Sequence, residues 1–277
     1  KKTIELVNVS KSYPDKVMFK PFSYLFKRFD RIGILGQNGC GKTTLLNMIA
    51  GIITDYDGEI IIGDTIRMGY FQQHFHYDDP TMRVIDYIRE TSDNLETSEG
   101  TLSARNMCER FLFDDHAQYT QIGKLSGGEQ RRLYLLKVLM GAPNVLLLDE
   151  PTNDLDIETL NVLEDYLDTF KGIVITVSHD RYFLDRIVDG LFVFKDQEIH
   201  YVNGGYSASI DITNTKKETE SQREDYRKQA KENRKRRLTF SEKKELEGMD
   251  DLLMNLETRL SEIDEEMGST QDFEKLD

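Results

Sequence analysis

The chain has 277 residues, of which 38% are hydrophobic and 31% charged, and its formal net charge is −14. This length allows one large domain with a sizeable core and an appended segment. Uninterrupted apolar runs are only a few residues long, so neither a transmembrane segment nor a signal peptide is predicted. The acidic balance argues against a generally basic, nucleic-acid-binding surface. Two cysteines, Cys40 and Cys108, indicate a reducing compartment rather than a disulfide framework.

A glycine-rich loop lies between a predicted strand at residues 30–35 and a predicted helix at residues 44–50. The loop fits the pattern G-x-x-x-x-G-K-[ST], which arises by chance in only about one chain in a hundred of this length. In this setting, backbone N–H groups point at a nucleotide's phosphates, the lysine reaches the β- and γ-phosphates, and the hydroxyl faces Mg²⁺. The predicted ATP-binding residues of the loop are Gly36, Asn38, Gly39, Cys40, Gly41, Lys42, Thr43 and Thr44.

Two further apolar runs end in polar side chains, as expected at the carboxyl edge of a parallel sheet. Residues 145–148 run into Asp149 and Glu150, and residues 172–178 run into His179. Phosphoryl transfer needs mainly a cation, oriented donors and a carboxylate that directs water. We therefore predict that Asp149 holds Mg²⁺ and that Glu150 polarises the attacking water. The alternatives are a helix-capping pair for the two acids and a structural role for His179.

The order of these motifs resembles an ABC nucleotide-binding domain over roughly residues 4–206. The remaining members of the ordered set are residues 70–73, 125–130 and 153–156. The resemblance implies an α/β fold of the ABC-type P-loop NTPases, with a parallel sheet core, an antiparallel β subdomain and a small helical subdomain. It also implies an ATPase that uses ATP and Mg²⁺ and produces ADP and phosphate.

The resemblance assigns roles around the nucleotide. Tyr13 resembles the aromatic that stacks on adenine, with an ordinary core or surface tyrosine as the alternative. Gln73, a better match than Gln72, resembles the glutamine that senses Mg²⁺ and the attacking water. Glu150 resembles the catalytic glutamate, and His179 resembles the switch histidine at the γ-phosphate. The implied Mg²⁺ residues are Thr43, Gln73 and Asp149.

The signature residues are implied to act on ATP that is held by a second ABC domain. Two such domains meet head to tail, and this chain has one P-loop and one signature. We expect its partner to be a second ABC domain in the same parent chain, or a second copy of this fragment. Lys1 in place of an initiator methionine favours a longer parent chain. The implied residues are Ser126, Gly127, Gly128 and Glu129 of the signature, and Asp154 and Asp156 of the D-loop.

After residue 206 the sequence changes to long charged stretches of helix-forming composition. We predict an ABC ATP-binding domain at 1–210, a charged helical linker at 211–245 and a truncated coiled-coil extension at 246–277. Within the linker, residues 227–237 contain seven basic residues and one acidic residue. This run is either a solvated helix face or a contact with RNA. Within the extension, apolar residues repeat at alternating spacings of 3 and 4 from Leu246 to Met267, as in a coiled coil.

Several segments resemble the ABC-F family, of the Uup and YfmR type. They are residues 236–247, residues 202–206, the loop at 153–156 and the short stretch between Gln73 and the signature. The resemblance implies two ATPase domains in one cytoplasmic polypeptide without a membrane domain. It also implies action in translation on the ribosome, in contact with rRNA and tRNA, where the ATP-bound closed state binds and hydrolysis releases it.

Two alternatives to this function remain. One is a Uup-like ATPase that binds DNA structures through its C-terminal tail. The other is the ATPase subunit of an ABC transporter, in which a longer helical subdomain would separate Gln73 from the signature and the basic region and heptad tail would be missing.

Overall fold

The computed structural model describes residues 3–97, 100–153 and 155–206. The predicted charged linker at 211–245, its basic run, the coiled-coil extension at 246–277 and Asp154 lie outside the described residues. Our domain boundaries therefore stay predictions.

The centre of the described fold is a sheet of six strands in the order β11-β10-β3-β9-β8-β5. Strands β10, β3, β9, β8 and β5 are parallel, and β11 is antiparallel to β10. The apolar runs that predicted buried strands therefore form neighbouring central strands. The strands are β3 (Arg31–Leu35), β5 (Met68–Phe71), β8 (Val145–Asp149), β9 (Ile173–Val177), β10 (Gly190–Lys195) and β11 (Glu198–Asn203).

Strand β8 is buried on both faces, which explains why its sequence is continuously apolar. Because side chains alternate along a strand, Val145 and Leu147 join one hydrophobic core, while Leu146 and Leu148 join the core on the opposite face. The sheet is thus the middle layer of the domain.

An antiparallel sheet in the order β2-β1-β4 covers the face that carries Leu147. Aromatic side chains of β2 meet the central sheet at Phe192: the ring centroids of Phe22 and Tyr24 lie 5.0 Å and 4.9 Å from that of Phe192. This confirms the predicted antiparallel subdomain. Its strands are β1 (Ile4–Tyr13), β2 (Lys16–Phe26) and β4 (Asp57–Ile62).

Short helices and one hairpin occupy the stretch between Gln73 and the signature, which confirms the predicted small helical subdomain. They are α2 (Val84–Arg89), the hairpin of β6 (Asn94–Thr97) and β7 (Gly100–Ser103), α3 (Ala104–Arg110) and α4 (Asp115–Gln118). The other described α-helices are α1 (Lys42–Ile49), α5 (Gly127–Met140), α6 (Ile157–Thr169) and α7 (Arg181–Ile187), and a short 3-10 helix at Ile122–Lys124 precedes α5.

Candidate active site

The glycine-rich loop joins the carboxyl end of β3 to the first residue of α1. Gly39 and Gly41 have φ values of 73° and 114°, in the left-handed region that favours glycine. If another residue replaced Gly41, its Cβ atom would also lie only 3.2 Å from the Phe19 ring. No side chain caps the N-terminus of α1, so its first N–H groups stay available to an anion.

The side chain of Lys42 folds back across this loop. Its Nζ donates to the carbonyl oxygens of Gly36 at 2.9 Å and Gln37 at 3.1 Å, and the residue is buried. Burial raises the pKa of the neighbouring Cys40 thiol, against the lowering effect of Lys42, which favours a neutral thiol. The Lys42 ammonium thus lies among backbone carbonyls, and that of Lys16 donates to a third loop carbonyl, Gly39, at 2.7 Å. Phosphate oxygens are attractive competitors for both groups.

Asp149 ends β8, and both of its carboxylate oxygens are buried without a hydrogen-bond partner among the described residues. Burial raises the pKa of Asp149, and the nearby Thr43 hydroxyl and the charge of Lys42 act against that rise. A buried carboxylate without partners is costly, and a divalent cation would satisfy both oxygens. Asp149 and Thr43 therefore fit a Mg²⁺ site by their chemistry.

Glu150 follows in a left-handed backbone conformation, with a φ of 50°. This conformation is uncommon for a residue with a side chain, and such strain is concentrated at functional sites. The Glu150 N–H donates to the carbonyl of Val177 at 2.9 Å, and its Oε1 lies 3.2 Å from His179 Nε2. Its other carboxylate oxygen is buried without a hydrogen bond. Burial raises the pKa of Glu150, while His179 acts against the rise.

The predicted capping alternative for the two acids is not what the structure shows. Asp156 caps α6 by accepting from Thr159 N at 2.7 Å, and Asp180 caps α7 by accepting from Tyr182 N at 2.8 Å. Asp149 and Glu150 thus stand at the carboxyl edge of the sheet with side chains that cap neither helix. His179, on the loop after β9, is brought to Glu150 by the pairing of β8 with β9.

The segment after β5 carries Gln73, whose side chain is exposed, whereas Gln72 is half-buried. The carbonyl oxygens of both residues accept hydrogen bonds from Arg131 of α5. Sequence reasoning missed Arg131, because no local pattern connects residues that are separated by 58 positions.

The signature residues begin α5. Ser126 is the N-cap, and it forms a capping box with Glu129: Ser126 N donates to Glu129 Oε2 at 2.8 Å, and Ser126 Oγ accepts from Glu129 N at 3.3 Å. Gly127 and Gly128 are exposed. In the D-loop, Asp156 also pairs with Arg132 of α5 at 3.3 Å, so the helix that starts at the signature contacts the end of that loop.

Tyr13 lies at the end of β1 and is 44% exposed, which makes it a surface residue and excludes the core alternative. The ammonium of Lys11 lies 4.6 Å from the centroid of its ring. Lys11 is held there by Asp55, whose carboxylate is 2.8 Å away.

The chain matches the ABC transporter family model over residues 19–153. YfmR of Bacillus subtilis (strain 168), described as an uncharacterized ABC transporter ATP-binding protein, is 46% identical over all of this chain and 45% of its own length. The energy-dependent translational throttle protein EttA of Escherichia coli (strain K12) is 37% identical, over 74% of this chain and 37% of EttA. The chain thus spans less than half the length of these two relatives.

A solved structure with a similar fold is a dimeric ATP-binding cassette in a post-hydrolysis state, bound to ADP and phosphate. It has a TM-score of 0.58 and 22% identity, over 73% of this chain and 98% of that one. None of the helices in the described part of this chain is long and apolar enough to cross a membrane.

Fold, motif order and these similarities together define the class: the chain belongs to the ABC ATPases, which bind and hydrolyse ATP. Within that class it is similar to YfmR and the Uup proteins, which agrees with the ABC-F resemblance of its sequence motifs.

Proposed function

We propose that this chain is an ATPase domain of a cytoplasmic translation factor that binds the ribosome with ATP and leaves it after hydrolysis. The similarity to EttA supports a role in translation, since that protein is described as a translational throttle. A reducing compartment agrees with the two free thiols, Cys40 and Cys108. The proposal rests most directly on the ABC-F resemblance of the whole chain.

The catalytic part of the proposal rests on one observation, the meeting of Glu150 with His179 beside the glycine-rich loop. Glu150 is buried, and its raised pKa makes it a better base for a water molecule than an ordinary carboxylate. His179 is half-exposed, and its Nε2 lies 3.2 Å from Glu150 Oε1, so in this proposal it orients the carboxylate and faces the γ-phosphate.

Phosphate binding in this proposal belongs to the loop of Gly36, Asn38, Gly39, Cys40, Gly41, Lys42, Thr43 and Thr44. Lys42 exchanges its two carbonyl partners for phosphate oxygens, and the uncapped N–H groups of α1 add further donors. Mg²⁺, held by Asp149, Thr43 and Gln73, would neutralise charge on the phosphates during transfer. Adenine stacks, in this proposal, on the face of the Tyr13 ring that is turned away from Lys11.

The second half of each site comes, in this proposal, from another ABC domain. The exposed signature residues Ser126, Gly127 and Gly128 are free to contact such a partner. Two large apolar side chains near these segments are also exposed: Ile157, 78% exposed just after the D-loop, and Tyr182, 75% exposed just after His179. In this proposal the partner domain covers them.

Co-sedimentation with ribosomes tests the proposal. We would use the full-length protein, with Glu150 and its counterpart in the expected second ABC domain changed to Gln so that bound ATP persists. Pelleting with ribosomes in ATP and release in ADP is the expected result. A matched protein with Lys42→Ala should not pellet, because it binds ATP poorly. Absence of pelleting in both nucleotides, combined with tail-dependent binding to branched DNA, would replace the ribosome by DNA as the target.

A further inference from the structure

Arg131 is a buried cation on the helix that begins at the signature, yet its partners lie in another part of the domain. Its exposed fraction is 3%. One guanidinium nitrogen, Nη1, donates to the carbonyl oxygens of Gln72 and Gln73, each at 2.7 Å. Both distances are those of strong, charge-assisted hydrogen bonds. Two successive peptide groups of the segment that carries Gln73 are therefore held by one side chain.

Aromatic rings hold the guanidinium in place. Its carbon atom lies 4.2 Å from the centroid of the Phe71 ring and 5.5 Å from that of Phe75. Along the chain, Phe71 precedes and Phe75 follows the two residues whose carbonyls are bonded. Both rings stack on Tyr134 of α5, with centroid distances of 5.3 Å for Phe71 and 4.7 Å for Phe75. A planar cation packed in this way has little freedom to leave its carbonyl partners.

Further hydrogen bonds join the same two segments on either side of Arg131. Tyr134 Oη donates to the carbonyl of Tyr70 at 3.0 Å, and Tyr77 Oη donates to the carbonyl of Gln130 at 2.6 Å. The segment from residue 70 to residue 77 thus follows the first two turns of α5. Among these contacts, Arg131 alone holds the backbone of Gln73 itself.

We propose that Arg131 is a positioning residue that sets the backbone of Gln73, so that the Gln73 side chain can reach Mg²⁺ and the γ-phosphate. The inference rests on the role of Gln73 given under the proposed function. Recognition of the γ-phosphate then depends on Arg131 as well, although this residue lies outside both the glycine-rich loop and the carboxyl edge of the sheet. ADP lacks that phosphate, so its binding should be nearly independent of Arg131.

Side-chain chemistry predicts how substitutions rank. Lysine keeps the charge and can donate to a carbonyl, but it lacks the planar group that lies over the Phe71 ring. Glutamine is shorter and neutral, and it cannot reach both carbonyls from the same helix position. Arg131→Lys should therefore retain most of the function, and Arg131→Gln should lose it.

The test measures equilibrium affinities for MgATP and MgADP with this chain, using a fluorescent nucleotide and competition. The proteins are the wild type, Arg131→Lys, Arg131→Gln, Gln73→Ala and the double variant of the last two. Lys137→Gln is the matched control, because Lys137 is also an α5 cation near an aromatic ring, 3.4 Å from the Tyr87 centroid, and pairs with Glu90 instead. Thermal unfolding of each variant confirms that it is folded.

Arg131→Gln should weaken MgATP binding by roughly 5- to 10-fold, the lower range of coupling between sites, with MgADP affinity unchanged within about twofold. In the Gln73→Ala background, the same change should have no further effect on MgATP, because the residue through which Arg131 acts is absent. Arg131→Lys should restore most of the preference for MgATP.

Four results would overturn the proposal. Equal losses for MgATP and MgADP would show a general structural lesion, and equal losses with and without Gln73 would show that Arg131 acts elsewhere. Unchanged MgATP affinity in Arg131→Gln would remove its role entirely. If Gln73→Ala itself leaves MgATP affinity unchanged, the role assigned to Gln73 fails first, and the positioning role of Arg131 fails with it.

Discussion

Replacing Glu150 by glutamine should separate catalysis from nucleotide binding in this domain. Glutamine has nearly the same shape, so the contact with His179 and the left-handed turn can both persist. It has no basic oxygen with which to polarise water. The Glu150 side chain does not contact the glycine-rich loop through any of the hydrogen bonds described above, so phosphate binding should be preserved.

The size of the effect follows from the surroundings of Glu150. General-base catalysis contributes about 10²–10⁴-fold to a rate, and loss of the base should slow turnover by that factor. The same change should stabilise the fold, because one carboxylate oxygen of Glu150 is buried without a hydrogen bond. Removing a buried, incompletely paired charge should raise the free energy of unfolding by about 1 kcal/mol, which corresponds to a rise in Tm of about 2–4 °C for a domain of this size.

The assay compares single-turnover ATP hydrolysis, ATP affinity and thermal unfolding for the wild type and Glu150→Gln. Glu198→Gln serves as the control, since Glu198 is half-exposed and pairs with Lys20 on the surface. A hydrolysis rate within threefold of the wild type would remove Glu150 from the catalytic role. A clear drop in Tm would show that the carboxylate has stabilising partners and would refute the argument from its burial.

Three further changes test other parts of the structure. Lys42→Ala should weaken ATP binding by about 10- to 100-fold, through loss of charge-assisted hydrogen bonds, and an equilibrium titration with unchanged affinity would contradict the phosphate-loop assignment. Leu147→Ala should lower the free energy of unfolding by about 2–5 kcal/mol, since Leu147 is fully buried in β8; Leu25→Ala, at a residue that is 52% exposed, should cost well under half of that in the same denaturation experiment. Glu129→Gln should remove a pH-dependent contribution, because hydrogen bonds from Ser126 hold the pKa of Glu129 below its ordinary value. That carboxylate stabilises α5 above its unfolded pKa of about 4.3 and loses the effect as pH falls through its lower folded pKa. The Tm difference between wild type and Glu129→Gln should therefore be constant near neutral pH and vanish in acid, and a difference that grows in acid would be the wrong sign.

Local patterns were sufficient for the parts of the protein in which residues close in sequence act together. The phosphate loop and the apolar runs of β3, β8 and β9 each lie within a few residues. Gly39 and Gly41 of that loop adopt left-handed conformations, and the continuous apolar runs are confirmed as central parallel strands. The ABC class followed from the order of these motifs along the chain, and the ABC-F resemblance followed from other segments, among them residues 202–206 and 236–247.

The sequence by itself thus determined the class of protein and the residue types of the site, since these depend on short-range spacing and on the periods of strands and helices. Only the tertiary structure decided that Glu150 meets His179, because that contact depends on the pairing of β8 with β9. It likewise decided that Arg131 holds the backbone of Gln73 across 58 residues. Such contacts arise from the packing of distant segments around a common core, and neither composition nor local periodicity contains that information.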